Sequence, residues 1–317
     1  MKYNRISIIL LFLIISFLIF GQQLDENLAP QTLKNQLQKL NQEIEKKQYS
    51  FTVGYNEAHK YTLTELCGLR FPDNWWSTAK EKNIKEMKPK KLRAESLAIP
   101  SKWDWREHDG VTGIRNQGSC GSCWAFGTIG TFESLLKIKK DTTVDLSEQH
   151  LVSCNEWDWG CNGGFWAHDM LMNPGAVLES EFPYVASDVA CGGQYNYPFK
   201  LGGWCYIDGE NKIPNVDKIK EAILNYGPVC AAVYVGIAFQ SYTGGVFDKD
   251  ESKSNGWFSC TCNGQNQPNH GIILVGWDDS KSAWILKNSW GTGWGEDGYM
   301  FIKYEISLVG YAAVIVF

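Results

Sequence analysis

The stretch Asn116-Gln117-Gly118-Ser119-Cys120-Gly121-Ser122-Cys123-Trp124-Ala125-Phe126 decides how the rest of this 317-residue chain is read. Two cysteines lie three apart with small residues between them. An apolar pattern follows: Ile129, Phe132, Leu135, Leu136 and Ile138. That spacing predicts an amphipathic helix starting at about Cys123. A thiol in the first turn of a helix meets orphan N–H groups and the positive end of the helix dipole, and both favour thiolate. Gly118 and Gly121 permit the tight backbone that leads into it.

Outward from this stretch, composition and charge narrow the possibilities. Hydrophobic residues make up 44% of the chain and there are 14 tryptophans, which indicates a globular protein. Charge is uneven: residues 22–99 hold 13 Lys/Arg against 10 Asp/Glu, and residues 100–317 hold 15 against 25. An acidic C-terminal body gives no support to nucleic-acid binding. Lys2 and Arg5, the apolar run Ile6 to Phe20 and the small Gly21 read as a secretory signal peptide over residues 1–21, too short to be a stable membrane span. Secretory entry makes the ten cysteines candidates for disulfides.

Along the chain, Leu28, Leu33, Leu37, Leu40 and Ile44 predict a helix, and Tyr49 to Asn56 a short strand. A turn is expected around Cys67-Gly68, and the lysine-rich run Lys80 to Arg93 reads as a solvated linker where the chain is processed. Helices are expected after Ser147, whose side chain suits an N-cap, and over Val216–Tyr226. Val229 to Val235, His270 to Trp277, Ala283 to Asn288 and Tyr299 to Tyr304 read as strands.

Gln117 to Trp124 resemble the signature of the papain/cathepsin cysteine peptidases, and the resemblance runs from roughly Pro100 to the C-terminus. It implies an α+β, papain-like two-lobed fold: a helical lobe, a β-barrel-like lobe and an active site in the cleft between them. Residues 100–317 would then be the peptidase domain. Phe51, Gly54 and Asn56, with Leu66-Cys67-Gly68, resemble the short propeptide of cathepsin B-like enzymes. Residues 22–99 are therefore expected to be an inhibitory propeptide lying across the cleft, with Cys67-Gly68 near Cys123.

The same resemblance assigns the chemistry. Peptide hydrolysis needs a nucleophile, a base that later protonates the leaving amine, and donors for the oxyanion. Cys123 is the nucleophile. Of five histidines, His59 falls in the propeptide, His108 in a charged loop, and His150 and His168 in helical stretches where packing roles are expected. His270 precedes the buried strand Ile272 to Trp277, 147 residues after Cys123, within the family spacing of roughly 130–150. Asn288, in Lys287-Asn288-Ser289-Trp290-Gly291, would orient the imidazole, with Trp290 shielding that bond. An insertion around Asp248 to Gln267 accounts for its longer separation. Gln117 would complete the oxyanion hole. Gly163 and Gly164 match the pair along which the family binds the substrate backbone, and Trp166 and Ala232 fall near the main side-chain pocket.

The resemblance suggests disulfides Cys120–Cys161 and Cys154–Cys191. Once the nucleophile is set aside, Cys205, Cys230, Cys260 and Cys262 remain with three possible pairings. Cathepsin B carries an occluding loop with paired histidines, but Glu181 to Trp204 contains no histidine. An endopeptidase is therefore favoured over an exopeptidase of the same family, and over a catalytically silent binding protein. No cofactor and no metal are expected. The expected partners are protein or peptide substrates and the chain's own propeptide, the enzyme acting as a monomer in a lysosome, a vacuole or outside the cell.

Overall fold

The central helix of the molecule, Cys123–Lys140, is buried on every side over its first fourteen residues. A computed structural model describes residues 24–92, 98–253 and 267–317; the expected signal peptide over residues 1–21, Cys260 and Cys262 lie outside the described residues. In chain order the elements are α1 (Gln31–Lys47), β1 (Phe51–Val53), α2 (Leu63–Leu66), α3 (Trp75–Glu81), α4 (Ile84–Met87) and β2 (Lys102–Asp104). Next come α5 (Cys123–Lys140), α6 (Glu148–Cys154), α7 (His168–Met172), β3 (Trp204–Tyr206) and α8 (Val216–Tyr226). The chain ends with β4 (Val229–Val233), α9 (Ile237–Gln240), β5 (Tyr242–Phe247), β6 (His270–Asp278), β7 (Ala283–Lys287), β8 (Tyr299–Lys303) and β9 (Tyr311–Val316).

The predicted α5 is present, but it is not amphipathic: Cys123 through Leu136 are all buried. Its buried hydroxyls bond back to the helix. Thr128 donates to the Trp124 carbonyl at 2.7 Å and Ser134 to that of Gly130 at 2.7 Å. A helix without a solvated face belongs between two packed layers, and here those layers are the two lobes.

The partition between lobes is written in β4 by residue parity, because alternate strand side chains point to opposite faces. Val229, Ala231 and Val233 enter the strand-rich core with Trp277, Trp284 and Phe239. Cys230 and Ala232 enter the helical core with Trp124, Phe132 and Leu171. β9 divides likewise, Ala313 and Ile315 going one way and Ala312, Val314 and Val316 the other. The structure is α+β with two lobes, as expected.

The sheet runs β1-β5-β8-β7-β6-β4-β9-β3, with β2 also paired to β6. All pairings are antiparallel except β5 with β8. Residues 24–92 meet this sheet at both ends. β1 pairs with β5, Phe51 opposite Gly245, and the Phe51 ring lies 4.6 Å from that of Phe247. At the far end, Asn83 bridges Tyr206 of β3, whose N–H donates to the Lys82 carbonyl at 2.9 Å. The run Lys80 to Arg93 is thus not a plain solvated linker as far as it is described. α3 buries Trp75 and Ala79, and α4 starts from an Asn83 side-chain cap. The anchors are apolar and amide groups placed among the charges.

Candidate active site

Cys123 opens α5, and the loop before it is tied on two sides. The Cys120–Cys161 disulfide joins it to the segment that leads into Gly163-Gly164. Tyr184 donates to the Gln117 carbonyl at 2.8 Å and shares a 2.6 Å hydrogen bond with Ser122 Oγ. His270 opens β6 and Asn288 follows β7, an antiparallel neighbour. His270 Nε2 and Asn288 Oδ1 are 2.8 Å apart. The Trp290 ring covers His270 at 4.8 Å, and both are almost wholly buried. Gln117 is held by its neighbours: its N–H donates to the Ser289 carbonyl at 2.8 Å, and its Oε1 accepts from Ser289 Oγ at 2.7 Å. That fixes the amide NH2 toward the cleft.

The cleft is occupied by the chain's own residues 66–70. The Leu66 carbonyl accepts from Gln117 Nε2 at 3.0 Å and lies 3.1 Å from His270 Nδ1. Gly68 passes so close that a Cβ there would overlap the Gly121 carbonyl. Gly164 N–H donates to the Gly68 carbonyl at 2.9 Å, and Arg70 N–H donates to that of Gly164 at 2.8 Å. Gly163, at φ 117°, also needs its missing side chain: a Cβ would lie 2.5 Å from the Gly68 oxygen. Beyond it, the Phe71 ring seats against Phe165 at 5.0 Å and Tyr311 at 5.2 Å.

Burial sets the protonation of the pair. It pushes the Cys123 thiol up to about 11, against the pull of the Gly271 and Gly68 N–H groups on the sulfur. The expectation of a thiolate therefore fails for this covered state, because the strand over the sulfur removes the water a charge needs. Burial likewise lowers His270 to about 4, so its ring is neutral. A neutral imidazole has one N–H. The shorter contact, to Asn288, takes it, leaving Nδ1 as the basic nitrogen. Beneath the pair a cavity of ≈ 20 Å³, room for about one water, is lined by Arg115, Glu133, Glu148 and Lys287 among others. Glu133 accepts from Thr112 Oγ1 at 2.7 Å and Leu146 N–H at 2.9 Å, and Lys287 donates to the Thr112 carbonyl at 2.8 Å. Burial raises the carboxyls of Glu133 and Glu148 and lowers Lys287 to about 8.

Residues 99–316 match the family described as papain family cysteine protease. The chain belongs to that family. It is 36% identical over 219 residues to a viral cathepsin of Cydia pomonella granulosis virus (isolate Mexico/1963), covering 67% of this chain and 60% of that protein. Cathepsin O of Homo sapiens is 32% identical over 228 residues, covering 68% and 65%. The chain spans 56–60% of the length of three viral cathepsins it matches. Among solved structures, a digestive procathepsin L2 proteinase from Tenebrio molitor larval midgut is 28% identical, with a TM-score of 0.75 over 90% of each chain.

Against this papain-family frame, the structure brings Gln117, Cys123, His270, Asn288, Trp290, Gly163 and Gly164 to one cleft. Trp166 lines the adjoining groove, its indole N–H donating to the Ala312 carbonyl at 3.0 Å. Ala232 is fully buried in β4. The Cys154–Cys191 bridge also forms as suggested. One expectation is corrected: Cys205 and Cys230 are buried free thiols, so neither joins any of the three pairings. They lie on β3 and β4, separated by β9. His150 and His168 are buried packing residues, flanked by Tyr195 and Trp204 respectively, and His108 stacks on Trp103 at 4.0 Å. Sequence reasoning missed Ser289, Tyr184, Phe71 and Tyr311. Ser289 carried a signal, as the neighbour of Asn288 in the same motif.

Proposed function

We propose that the chain is a cysteine endopeptidase made as a secretory zymogen, with residues 22–99 as its inhibitory propeptide. The observation that carries the reading is the Leu66 carbonyl, which accepts from Gln117 Nε2 and lies beside His270 Nδ1 in a cleft already filled by a peptide. In turnover, Nδ1 takes the Cys123 proton and the sulfur attacks the substrate carbonyl carbon. The oxyanion is met by Gln117 Nε2 and the Cys123 N–H, and the imidazolium returns its proton to the leaving amine. Water then cleaves the acyl-enzyme. Asn288 holds the ring in the tautomer this needs, and Trp290 excludes water from that bond.

The covering residues 66–70 bring the Gly68 backbone close enough to the sulfur to pull, with Gly271, against the burial that raises the thiol. The strand enters from α2 on one side and continues to α3 on the other. A cleft that accepts chain in both directions supports endopeptidase over exopeptidase action. Phe71 against Phe165 and Tyr311 supports a preference for a large apolar side chain in the adjoining pocket. Two disulfides support an oxidising compartment, lysosomal, vacuolar or extracellular.

The test is hydrolysis of an internally quenched peptide, blocked at both ends, by the full chain at about pH 5 with reductant, beside Cys123→Ala. Activity that appears with loss of the N-terminal segment, and is absent in the variant, is expected. Cleavage of free-ended peptides alone would replace this reading with an exopeptidase. Failure of a peptide epoxide to label Cys123 after segment removal would leave a silent binding protein.

A further inference from the structure

Away from the catalytic pair, one N-terminal side chain occupies a built receptor. Lys82 Nζ lies 3.7 Å from the centre of the Trp204 ring and 3.2 Å from Asp169 Oδ1. The same carboxylate oxygen accepts the Trp204 indole N–H at 2.7 Å, so the ring and the acid are locked as one unit. Trp204 is only 4% exposed. The unit is one end of a groove of ≈ 490 Å³ whose body wall includes Trp157, Trp159, Phe165 and Trp166, roofed by residues between 70 and 78. Trp157 and Trp159 stack at 4.5 Å, and Trp157 stays 41% exposed. The groove joins the cleft where Phe71 meets Phe165. An aromatic wall with a single fixed carboxylate at its end is chemistry for a cation, since the ring face and the acid both attract positive charge.

We propose that, once the N-terminal segment has left, this groove binds a lysine or arginine side chain of the peptide substrate, with its cation where Lys82 Nζ now lies. The proposal rests on the peptidase reading and adds a selectivity to it. Rings lead from Phe71 to Trp204 by way of Trp75 and Tyr206 in steps of 5.3, 6.2 and 5.4 Å. An extended chain covers ~3.3 Å per residue, so the basic residue lies within about five positions of the one that fills the Phe71 pocket. The body around the site carries 15 Lys/Arg against 25 Asp/Glu over residues 100–317 and favours the approach of a basic peptide.

The experiment scans lysine against norleucine through each position of an end-blocked quenched peptide that keeps one phenylalanine, using enzyme freed of its N-terminal segment. Epoxide titration of Cys123 first counts competent sites. At one position lysine is expected to raise kcat/KM about three- to thirtyfold over norleucine, through KM, with the gain falling as salt rises. Asp169→Asn, at a side chain that is largely exposed, removes the gain and leaves the norleucine peptides unchanged. Trp204→Phe keeps the ring but frees the carboxylate and retains part of it. A flat scan, or a lysine preference that survives in Asp169→Asn, overturns the proposal. If competent enzyme cleaves no end-blocked peptide, the endopeptidase reading fails instead. Affinity of the same peptide pairs for enzyme alkylated at Cys123 with iodoacetamide then decides the groove: tighter lysine binding upholds it and equal binding overturns it.

Discussion

Ser289 Oγ donates to Gln117 Oε1 at 2.7 Å and thereby decides which end of the Gln117 amide faces the cleft. The two roles separate by mutation. Gln117→Ala removes an oxyanion donor and is expected to lower kcat by about 10²–10³. Ser289→Ala leaves the donor but unlocks it, and is expected to lower kcat about three- to tenfold, the scale of one net hydrogen bond. Steady-state kinetics on an end-blocked peptide check both. A Ser289→Ala loss expressed wholly in KM would contradict the positioning role.

Gly68 sits where the cleft has no room for a methyl group, against the Gly121 carbonyl. Gly68→Ala is expected to cost the covered state about 1–3 kcal/mol of overpacking. Labelling of Cys123 by a peptide epoxide in the uncut full chain should accelerate about five- to hundredfold. Unchanged labelling would mean that the strand does not limit access to the sulfur.

His59 makes the contact of residues 24–92 with β5 sensitive to acid. Its Nδ1 accepts the Asn56 N–H at 3.2 Å and its Nε2 lies 3.1 Å from Ser241 Oγ. Asn56 Nδ2 in turn donates to the Gln240 and Tyr242 carbonyls. Burial lowers the His59 pKa from 6.5 to about 4. A lowered histidine stabilises the docked form fully above 6.5, and that contribution is lost as pH falls toward 4. The body responds in the opposite sense: Glu133, Glu148 and Glu251 are raised by burial, so acid relieves them. The ratio of Cys123 labelling rates, wild type over His59→Gln, should climb between pH 6.5 and 4. A ratio independent of pH would remove His59 from the response.

Glu133 is one of two buried acids beneath the pair, satisfying Thr112 and Leu146 while Lys287 lies nearby. Glu133→Ala strands both donors and a buried cation, a loss of about 3–5 kcal/mol. Urea unfolding of the full chain carrying Cys123→Ala measures it. A change below about 1 kcal/mol would show that the Lys287 charge is compensated elsewhere.

The charge asymmetry of the chain is used only in part. Lys82–Asp169 and Lys85–Glu210 join a basic N-terminal segment to the acidic body, but Lys249–Glu43 runs the other way. A net-charge argument sees only sums, and individual pairs follow local placement. The helix start at Cys123, the strand starting at His270, the place of Asn288 and α8 were legible because each is a local pattern, whereas the two disulfides, spanning 41 and 37 residues, came only from the family resemblance. Cys205 and Cys230 were not, since pairing depends on which strands lie side by side. Nor was the all-round burial of α5, since a layer on both faces is a tertiary fact that the spacing of its apolar residues does not carry. The partnership of Asp169 with Trp204 spans 35 residues and has no motif.

The seating of residues 24–92 on both outer edges of the sheet makes that segment a bivalent ligand of the body. A single cut between residues 92 and 98 would leave it attached at β5 and at β3, each contact holding the other at high effective concentration. Escape then requires both to open together, and the product of two modest probabilities is small. A second cut between the anchors would turn one tenacious fragment into two weak ones. The number of cuts, more than the strength of either contact, would set how abruptly the cleft becomes available.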